Sequence, residues 1–452
     1  MNTIEKLEIS YNELIAGLFF SLPFLFIHLF LAYRFSPSFS LMVFVGFVVV
    51  ALIFLYPIIG FLLSSFVIFS GIIWGLGISQ GFLPLAILSI IAWIINGVCS
   101  LNFSLVWDKQ ISYLLAYLAM VITSVIFALY PLYAFKFMFV YLKLFLFYIF
   151  TMNVIKTEKH IWYALYTMVV STLLSVVYGF YKIFFTTQSP GELVVNARLR
   201  GLSDDPNAIA LHIVLLVPVL LLLAFQSKRK LKALLYILSI FILTAGLVAT
   251  FSRGGTVAFA VVVGVIFYLK RSRNLFLILL AIILFLIIFV IPPDFWSHLQ
   301  TLFDLSKFMQ DESLRERSRL LMGGIQMFLQ HPIFGIGIGN FLVISRNFVL
   351  EHLAVHNTIV HVAAETGILG VLFFSLALFR TFKNFHFAKG VFEKAGKDRL
   401  AIASQGLSVG FLGVFVMCLF ISNQEAFIVW LLFGFSVAVR KVAENVEPVS
   451  TT

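Results

Sequence analysis

Apolar runs long enough to cross a bilayer follow one another along the chain, separated mostly by short polar connections. A transmembrane helix needs about 20 apolar residues, and comparable runs occur about fourteen times, or twelve if two short early runs merge or re-enter. The pattern predicts an all-α fold, a polytopic transmembrane helical bundle of about 12–14 spans in one integral membrane domain, residues 1–452. The predicted spans are 14–33, 38–56, 58–77, 82–99, 112–131, 137–155, 161–185, 208–225, 231–250, 255–270, 274–292, 358–380, 402–421 and 424–440.

One long polar segment, residues 293–357, interrupts this succession and forms a predicted large loop. Within it, apolar side chains recur at helical spacing between Leu314 and Leu329. Because the remaining positions are largely charged or polar, this spacing predicts an amphipathic helix that lies at the membrane–water boundary. Its predicted apolar face contains Leu314, Leu321, Ile325 and Phe328.

The basic residues are concentrated in connections that would share one side of the membrane. They cluster at 228–232, 270–273, 380–399 and 440–441. Cytoplasmic loops carry an excess of Lys and Arg, so these clusters and both termini are expected in the cytoplasm. Residues 186–207, the turn 252–255 and the loop 293–357 then face the opposite side. The net charge of +11 therefore reflects membrane topology, and no nucleic-acid partner is expected.

The composition excludes an ordinary soluble globular protein, because 62% of the residues are hydrophobic and the mean hydropathy is +1.07. The two cysteines, Cys99 and Cys418, lie in apolar runs and are expected to be packing residues. The first residues are too acidic for a signal peptide, and the run 14–33 has no small-residue cleavage site. We expect this run to be a retained first span.

Four arginines fall on the side where the charge bias disfavours them: Arg198, Arg200, Arg253 and Arg317. An anion should offset the cost of placing a guanidinium near hydrocarbon. Lipid headgroups are one candidate, and a bound diphosphate is the other. Arginine suits the second candidate because its planar group holds phosphate oxygens by two parallel hydrogen bonds.

His356 and Asn357 lie at the end of the long loop, just before the predicted span 358–380. A histidine is suited to proton transfer near neutral pH. The alternative is a histidine hydrogen-bonded to a loop carbonyl, with Asn357 capping the following helix. Glu365, further along this helix, is expected to have a partner inside the protein. Asp205, with Asp204 before it and a proline after it, is expected to cap a helix rather than to bind metal.

Together these residues resemble the O-antigen ligase and O-antigen polymerase superfamily of bacterial envelope glycosyltransferases. The resemblance covers about the last 270 residues. It is carried by Arg198–Asn207, Phe251–Gly255, Arg317, His331–Phe341 and the pair His356-Asn357 followed by Gly367 and Gly370. The spacing of that pair and the two glycines matches the ligase motif, whereas the polymerases share the general layout.

The resemblance implies a glycan transfer from undecaprenyl diphosphate to an acceptor sugar hydroxyl, such as that of a lipid A-core, without metal or cofactor. The expected place is the bacterial inner membrane, with residues 293–357 as a large periplasmic loop and the active site facing the periplasm. His356 would be the base and the four arginines would bind the diphosphate. Supporting roles are expected for Asn357, Glu365, Gly367, Gly370 and His331, the last in a turn.

Two other functions stay open from the sequence. An O-antigen or exopolysaccharide polymerase would join lipid-linked repeat units with the same layout. A transporter or flippase of lipid-linked sugars belongs to another class, but the sequence shows neither an internal repeat nor a ladder of buried charges. The glycines 335, 337 and 339 follow no predicted strand, so a nucleotide loop is not expected. We expect them to give flexible backbone beside the sugar site.

Overall fold

The computed structural model describes residues 34, 36–75, 82–100, 105–185, 198–203, 205–270, 312–347, 349 and 354–446. These residues form helices, turns and loops, with no strand among them. The helices are α1 Pro37–Leu55, α2 Pro57–Ser70, α3 Ile72–Gly75, α4 Phe82–Cys99, α5 Lys109–Ile126, α6 Pro131–Val154, α7 Glu158–Phe185, α8 Pro206–Gln226, α9 Lys230–Ala249, α10 Arg253–Lys270, α11 Glu312–Gln330, α12 Asn340–Ile344, α13 Thr358–Lys394, α14 Asp398–Cys418 and α15 Phe427–Glu444.

The predicted fold class is confirmed: the chain is a polytopic helical membrane protein. In the described part, nine helices are long and apolar enough to cross a membrane, namely α1, α4 to α9, α13 and α14. The predicted spans 14–33 and 274–292 lie outside the described residues. Helix α13 is much longer than the predicted span 358–380, and α15 begins at Phe427 rather than at 424.

Several helices begin where a short polar side chain caps the free backbone N–H groups of the first turn. Asp205 accepts a hydrogen bond from the Asn207 N–H at 2.8 Å, and Asn357 accepts one from the Val360 N–H at 3.0 Å. Both capping roles are as the sequence predicts. Asp108 caps α5 in the same way, through the Gln110 N–H at 2.9 Å.

Helix α8 lies at the centre of the bundle, and 83% of its span is buried inside the protein. It is apolar on all sides because its neighbours, chiefly α14 and α9, cover it. Helix α14 approaches α8 through Gly406, Gly410 and Gly413, where a side chain would collide with Val219, Leu215 or Val214. Small residues at such spacing allow membrane helices to pack backbone against backbone.

The connections lie in two groups at opposite ends of the bundle, in the arrangement that the charge pattern predicts. One group, here called the site end, joins Arg198 to Thr250, Ser252 to Asn207 and Thr358 to Ile421 by hydrogen bonds. The other, the basic end, joins Asp108 to Arg380 and Glu158 to Lys397 by ion pairs. The compartments that the two ends face stay a prediction.

The predicted amphipathic helix is present as α11, but its packed side differs from the predicted apolar face. Leu320 and Met327 are buried, and Gly324 lies against Val355 and Val360. Ile325, predicted to share the apolar face, is 37% exposed. The helix docks on α13 through the side that contains Gly324, because a small residue allows the closer approach. Its depth in the membrane stays a prediction.

Candidate functional site

The four arginines singled out by their location come together at the site end. Burial lowers the pKa of Arg198 from its usual value, and the positive charges of Arg317, Arg200 and Arg253 lower it further, while Asp205 opposes the shift. These three arginines belong to separate parts of the chain, so tertiary structure assembles the cluster. Such a concentration of positive charge favours binding of a multiply charged anion.

Arg198 is held in place by the end of α9. Its Nε donates to the Thr250 carbonyl at 3.0 Å, and the N–H of the buried Leu199 donates to the Ala249 carbonyl at 2.8 Å. The carbonyls that a helix leaves free at its C-terminus thus fix this segment. Gly201 follows with a φ of 56°, a conformation that an L side chain rarely adopts.

Arg253 is the first residue of α10 and follows a tight turn. Phe251 in this turn has a φ of 49°, which is unusual for a residue with a side chain. The Ser252 hydroxyl stabilises the turn by donating to Asn207 Oδ1 at 2.8 Å and accepting from the Gly255 N–H at 3.2 Å. Gly254 lies against Phe420, in the turn after α14. Arg253 therefore lies at the same end of the bundle as that turn.

His356 immediately precedes the cap of α13 and has a φ of 58°. Asn357 donates from Nδ2 to the Leu419 carbonyl at 3.2 Å, which ties this loop to the turn beside Gly254. The pKa of His356 is lowered by burial and by the charges of Arg317 and His361, with Asp205 opposing. The alternative role predicted for this pair is met in part, because Asn357 caps α13.

A buried polar cluster lies on α13, about one helical turn after His356 in the chain. His361 and Glu365 are each 2% exposed, and His361 Nε2 is 3.3 Å from Glu365 Oε1. His361 Nδ1 shares a 2.8 Å hydrogen bond with Gln424 Nε2. The same Glu365 oxygen also accepts a hydrogen bond from the Phe341 N–H at 3.1 Å, which connects α12 to α13. Glu365 has a partner inside the protein, as predicted, and that partner is His361.

Helix α13 is broken at Gly367, where φ is 71° and ψ is −169°. The turn after α11 occupies the break: the N–H groups of Ile336 and Gly337 donate to the carbonyls of Ala364 and Glu365 at 2.9 and 3.2 Å. In return, the Ile368 N–H donates to the Pro332 carbonyl at 2.8 Å. Backbone groups that a broken helix leaves free inside a membrane protein need such partners.

The turn that begins at His331 is closely packed, which corrects the expectation of flexible backbone at its glycines. A side chain at Gly335 would collide with Glu365, one at Gly337 with Ala128 and one at Gly339 with Phe137. All three glycines have positive φ. The His331 carbonyl accepts the Gly335 N–H at 3.0 Å, which is the predicted turn role of this residue.

The second glycine of the motif, Gly370, is buried on α13 one turn after Gly367, and a side chain there would collide with Thr366. Sequence analysis missed Gln424 and Glu425, because the predicted last span was drawn through them. Burial raises the pKa of Glu425, and the charge of Glu365 raises it further, while His361 opposes the shift. The polar run Ser422–Glu425 between two apolar runs was the available sign of this turn.

Residues 238–375 match the family model described as O-antigen ligase. This match supports the O-antigen ligase superfamily that the motifs predict. The match includes Arg253, Arg317 and His356 with the broken part of α13, whereas Arg198 and Arg200 precede it. No curated protein matches the chain. The chain is thus a helical membrane protein in which residues 238–375 match the O-antigen ligase family model.

Proposed function

We propose that this protein is an O-antigen ligase-type glycosyltransferase of the bacterial inner membrane. It moves a glycan from undecaprenyl diphosphate to a sugar hydroxyl of a lipid A-core acceptor at the periplasmic face. The observation that carries the proposal is the meeting of Arg198, Arg200, Arg253 and Arg317 with His356 at one end of the bundle. A cationic cluster beside an imidazole supplies both an anion site and a base.

The arginines bind the diphosphate of the donor and stabilise the negative charge that develops on it as it leaves. Fixed guanidinium groups can do this in place of a metal ion, because they are already oriented toward the charge. Their position at the membrane surface suits a donor whose lipid tail stays in the bilayer. Reaction without a metal ion is therefore part of the proposal.

His356 acts as the general base toward the acceptor. The acceptor hydroxyl gives its proton to an imidazole nitrogen, and its oxygen forms the new bond to the anomeric carbon. The bond from that carbon to the diphosphate oxygen breaks, and its electron pair leaves with the diphosphate. A single displacement of this kind inverts the anomeric centre. The lowered pKa of His356 keeps the imidazole neutral at pH 7, the form that accepts a proton.

The supporting residues hold the base in position. Asn357 caps α13 and ties the loop to Leu419. Glu365 and His361 fix the first turns of α13, while Gly367 and Gly370 allow its break and close packing. His331 closes the turn that fills the break. Positioning to within a fraction of an ångström contributes substantially to the rate of a displacement.

The test is the lipid-linked intermediate that accumulates in cells whose only copy is His356→Ala. A ligase deficiency should leave finished, long glycan on undecaprenyl diphosphate and bare acceptor. Arg346→Ala, a matched change at an exposed residue of the same end, should leave the acceptor fully glycosylated.

Three other results would change the assignment. Single repeat units, on the carrier or on the acceptor, would replace the ligase by a polymerase that uses the same chemistry. Normal glycan on the normal acceptor in the His356→Ala cells would remove His356 from the mechanism. Lipid-linked glycan retained on the cytoplasmic face would support a flippase instead.

A further inference from the structure

A cavity of about 490 Å³ lies at the basic end, far from the arginine cluster of the proposed active site. Helices α13, α14 and α15 form it, and Arg380, Lys383, His386 and Arg440 are among its lining residues. Arg380 pairs at 2.7 Å with Asp108, the cap of α5, and Arg440 lies near the end of α15. Because α5 is long and apolar enough to cross a membrane, we expect its start, and the cavity beside it, at the membrane–water boundary.

Among the described residues, the cations around this cavity outnumber the carboxylates. Asp108 accepts from Arg380 Nε at 3.1 Å and Nη2 at 2.7 Å, and Glu444 pairs with Arg440 at 2.8 Å and with Lys441 at 2.7 Å. Four cations, Arg380, Lys383, Arg440 and Lys441, therefore surround two carboxylates. Lys383 is exposed and has no carboxylate partner among the described residues, and its Nζ lies 4.8 Å above the Phe379 ring.

An apolar cavity of about 690 Å³ adjoins the basic one. Phe382 and Ser408 line both cavities, so the two lie side by side. The apolar cavity lies between α10, α13 and α14, with Leu269, Phe379 and Leu412 among its lining residues. A positively charged cavity at the basic end thus adjoins an apolar groove between helices. This combination matches a molecule with an anionic head and hydrocarbon tails.

We propose that these adjoining cavities bind an anionic glycerophospholipid. Its phosphate interacts with Lys383 and with the outer faces of Arg380 and Arg440, and its acyl chains lie in the groove between α13 and α14. Basic pockets between transmembrane helices on the cytoplasmic side are suited to such headgroups. The bound lipid joins α13, whose other end follows His356, to α14 and α15.

The test compares two lysines of α13 in the purified full-length protein. Native mass spectrometry measures the binding of phosphatidylglycerol and of phosphatidylcholine with identical acyl chains. Lys383→Gln should weaken binding of phosphatidylglycerol about fivefold, since a basic residue near an anionic lipid surface contributes about that factor. Binding of phosphatidylcholine should not change. Lys389→Gln is the matched control, because Lys389 is paired with Glu393 at 3.3 Å and does not line the cavity.

A second variant tests the groove. Ser408→Phe fills the junction of the two cavities and should weaken phosphatidylglycerol binding without changing any charge. Its melting curve without lipid reports whether it folds, and the lysine pair keeps the test decisive if it does not. Equal affinity for the two lipids, or equal effects of Lys383→Gln and Lys389→Gln, would overturn the proposal. So would equal binding of inorganic phosphate or of undecaprenyl phosphate, which would assign the cavity to a free anion or to the donor carrier.

Discussion

His356 keeps its imidazole at the site end through a backbone conformation that few side chains adopt, with a φ of 58°. Glycine adopts this conformation without strain, and asparagine tolerates it better than most residues. The position therefore allows the side chain to be changed without changing the backbone. A catalytic role and a structural role of residue 356 can be separated in this way.

His356→Gly should slow glycan transfer by about 10²–10⁴-fold, the range for loss of a general base. The free energy of unfolding should change by no more than about 1 kcal/mol, because glycine suits the positive φ. Transfer is measured with purified enzyme, lipid-linked donor and acceptor, and stability by thermal denaturation. His356→Asn is the companion variant. Full activity of His356→Asn would show that only the backbone conformation at this position matters.

The lowered pKa of His356 predicts the acid side of the pH profile. The imidazole accepts a proton only when it is neutral, so kcat/KM should fall as the pH falls through the pKa of His356. This pKa lies below 6.5, because burial and the charge of Arg317 disfavour the protonated form. Arg317→Gln removes one of these causes and should move the midpoint of the acid limb to higher pH. An unchanged midpoint on the residual activity would argue against His356 as the base.

Arg253→Lys retains the charge at the start of α10 but loses the two-pronged geometry for phosphate oxygens. The expected loss in transfer rate is about 10²–10³-fold, as for removal of one charge-stabilising donor. Arg346→Lys makes the same change at an exposed arginine of the site end and should leave the rate unaffected. If Arg253→Lys retains near-normal turnover, Arg253 binds lipid headgroups or stabilises the fold instead.

At the scale of one element, α13 joins the two ends of the bundle and contains the break that positions its first turns. Before the break it carries the cap Asn357 and the buried pair His361–Glu365. After the break it continues to Lys394 and carries Arg380, which pairs with Asp108. The turn at 331–340 fills the break by hydrogen bonds to the carbonyls of residues 364 and 365. The local geometry of the site therefore depends on contacts between α11, α12 and α13.

Two glycines of α13 give a matched test of this break. Gly367→Ala places a side chain against the Ile333 carbonyl at a φ of 71°, and it should destabilise the protein by about 1–3 kcal/mol and reduce transfer. Gly390→Ala meets nothing within 4 Å and should be neutral or stabilising by up to about 1 kcal/mol. Thermal denaturation and transfer rate are measured for both. Equal stability of the two variants would mean that the break does not need glycine.

At the scale of the whole molecule, the two ends differ in chemistry, and the charge pattern predicts the compartment of each. An impermeant maleimide should label Arg346→Cys in intact spheroplasts and should label Lys228→Cys only after lysis. The background carries Cys99→Ser and Cys418→Ser, and both test positions are exposed. The physical reason is the preference of basic loops for the cytoplasm. Labelling of Lys228→Cys from outside would invert the topology and remove the periplasmic site.

The sequence by itself determined the fold class, the grouping of connections at two ends and two helix caps, Asp205 and Asn357. These features depend on the length of apolar runs, on charge bias and on side chains close to their partners in sequence. The motif from Arg253 to Gly370 was also sufficient to indicate the superfamily. Each of these properties is local, so each can be predicted without knowing how distant segments pack.

Tertiary structure alone decided how the site is built. It brought Arg198 to Arg317, joined His361 to Gln424 and inserted the backbone of Ile336 and Gly337 into the break of α13. It also turned the side of α11 that carries Leu320 and Met327 toward the protein. These contacts join segments far apart in the chain, and their energies come from close packing and from satisfying buried polar groups. A hydrophobic pattern fixes which segments are buried, whereas only the packed bundle fixes which of their side chains meet.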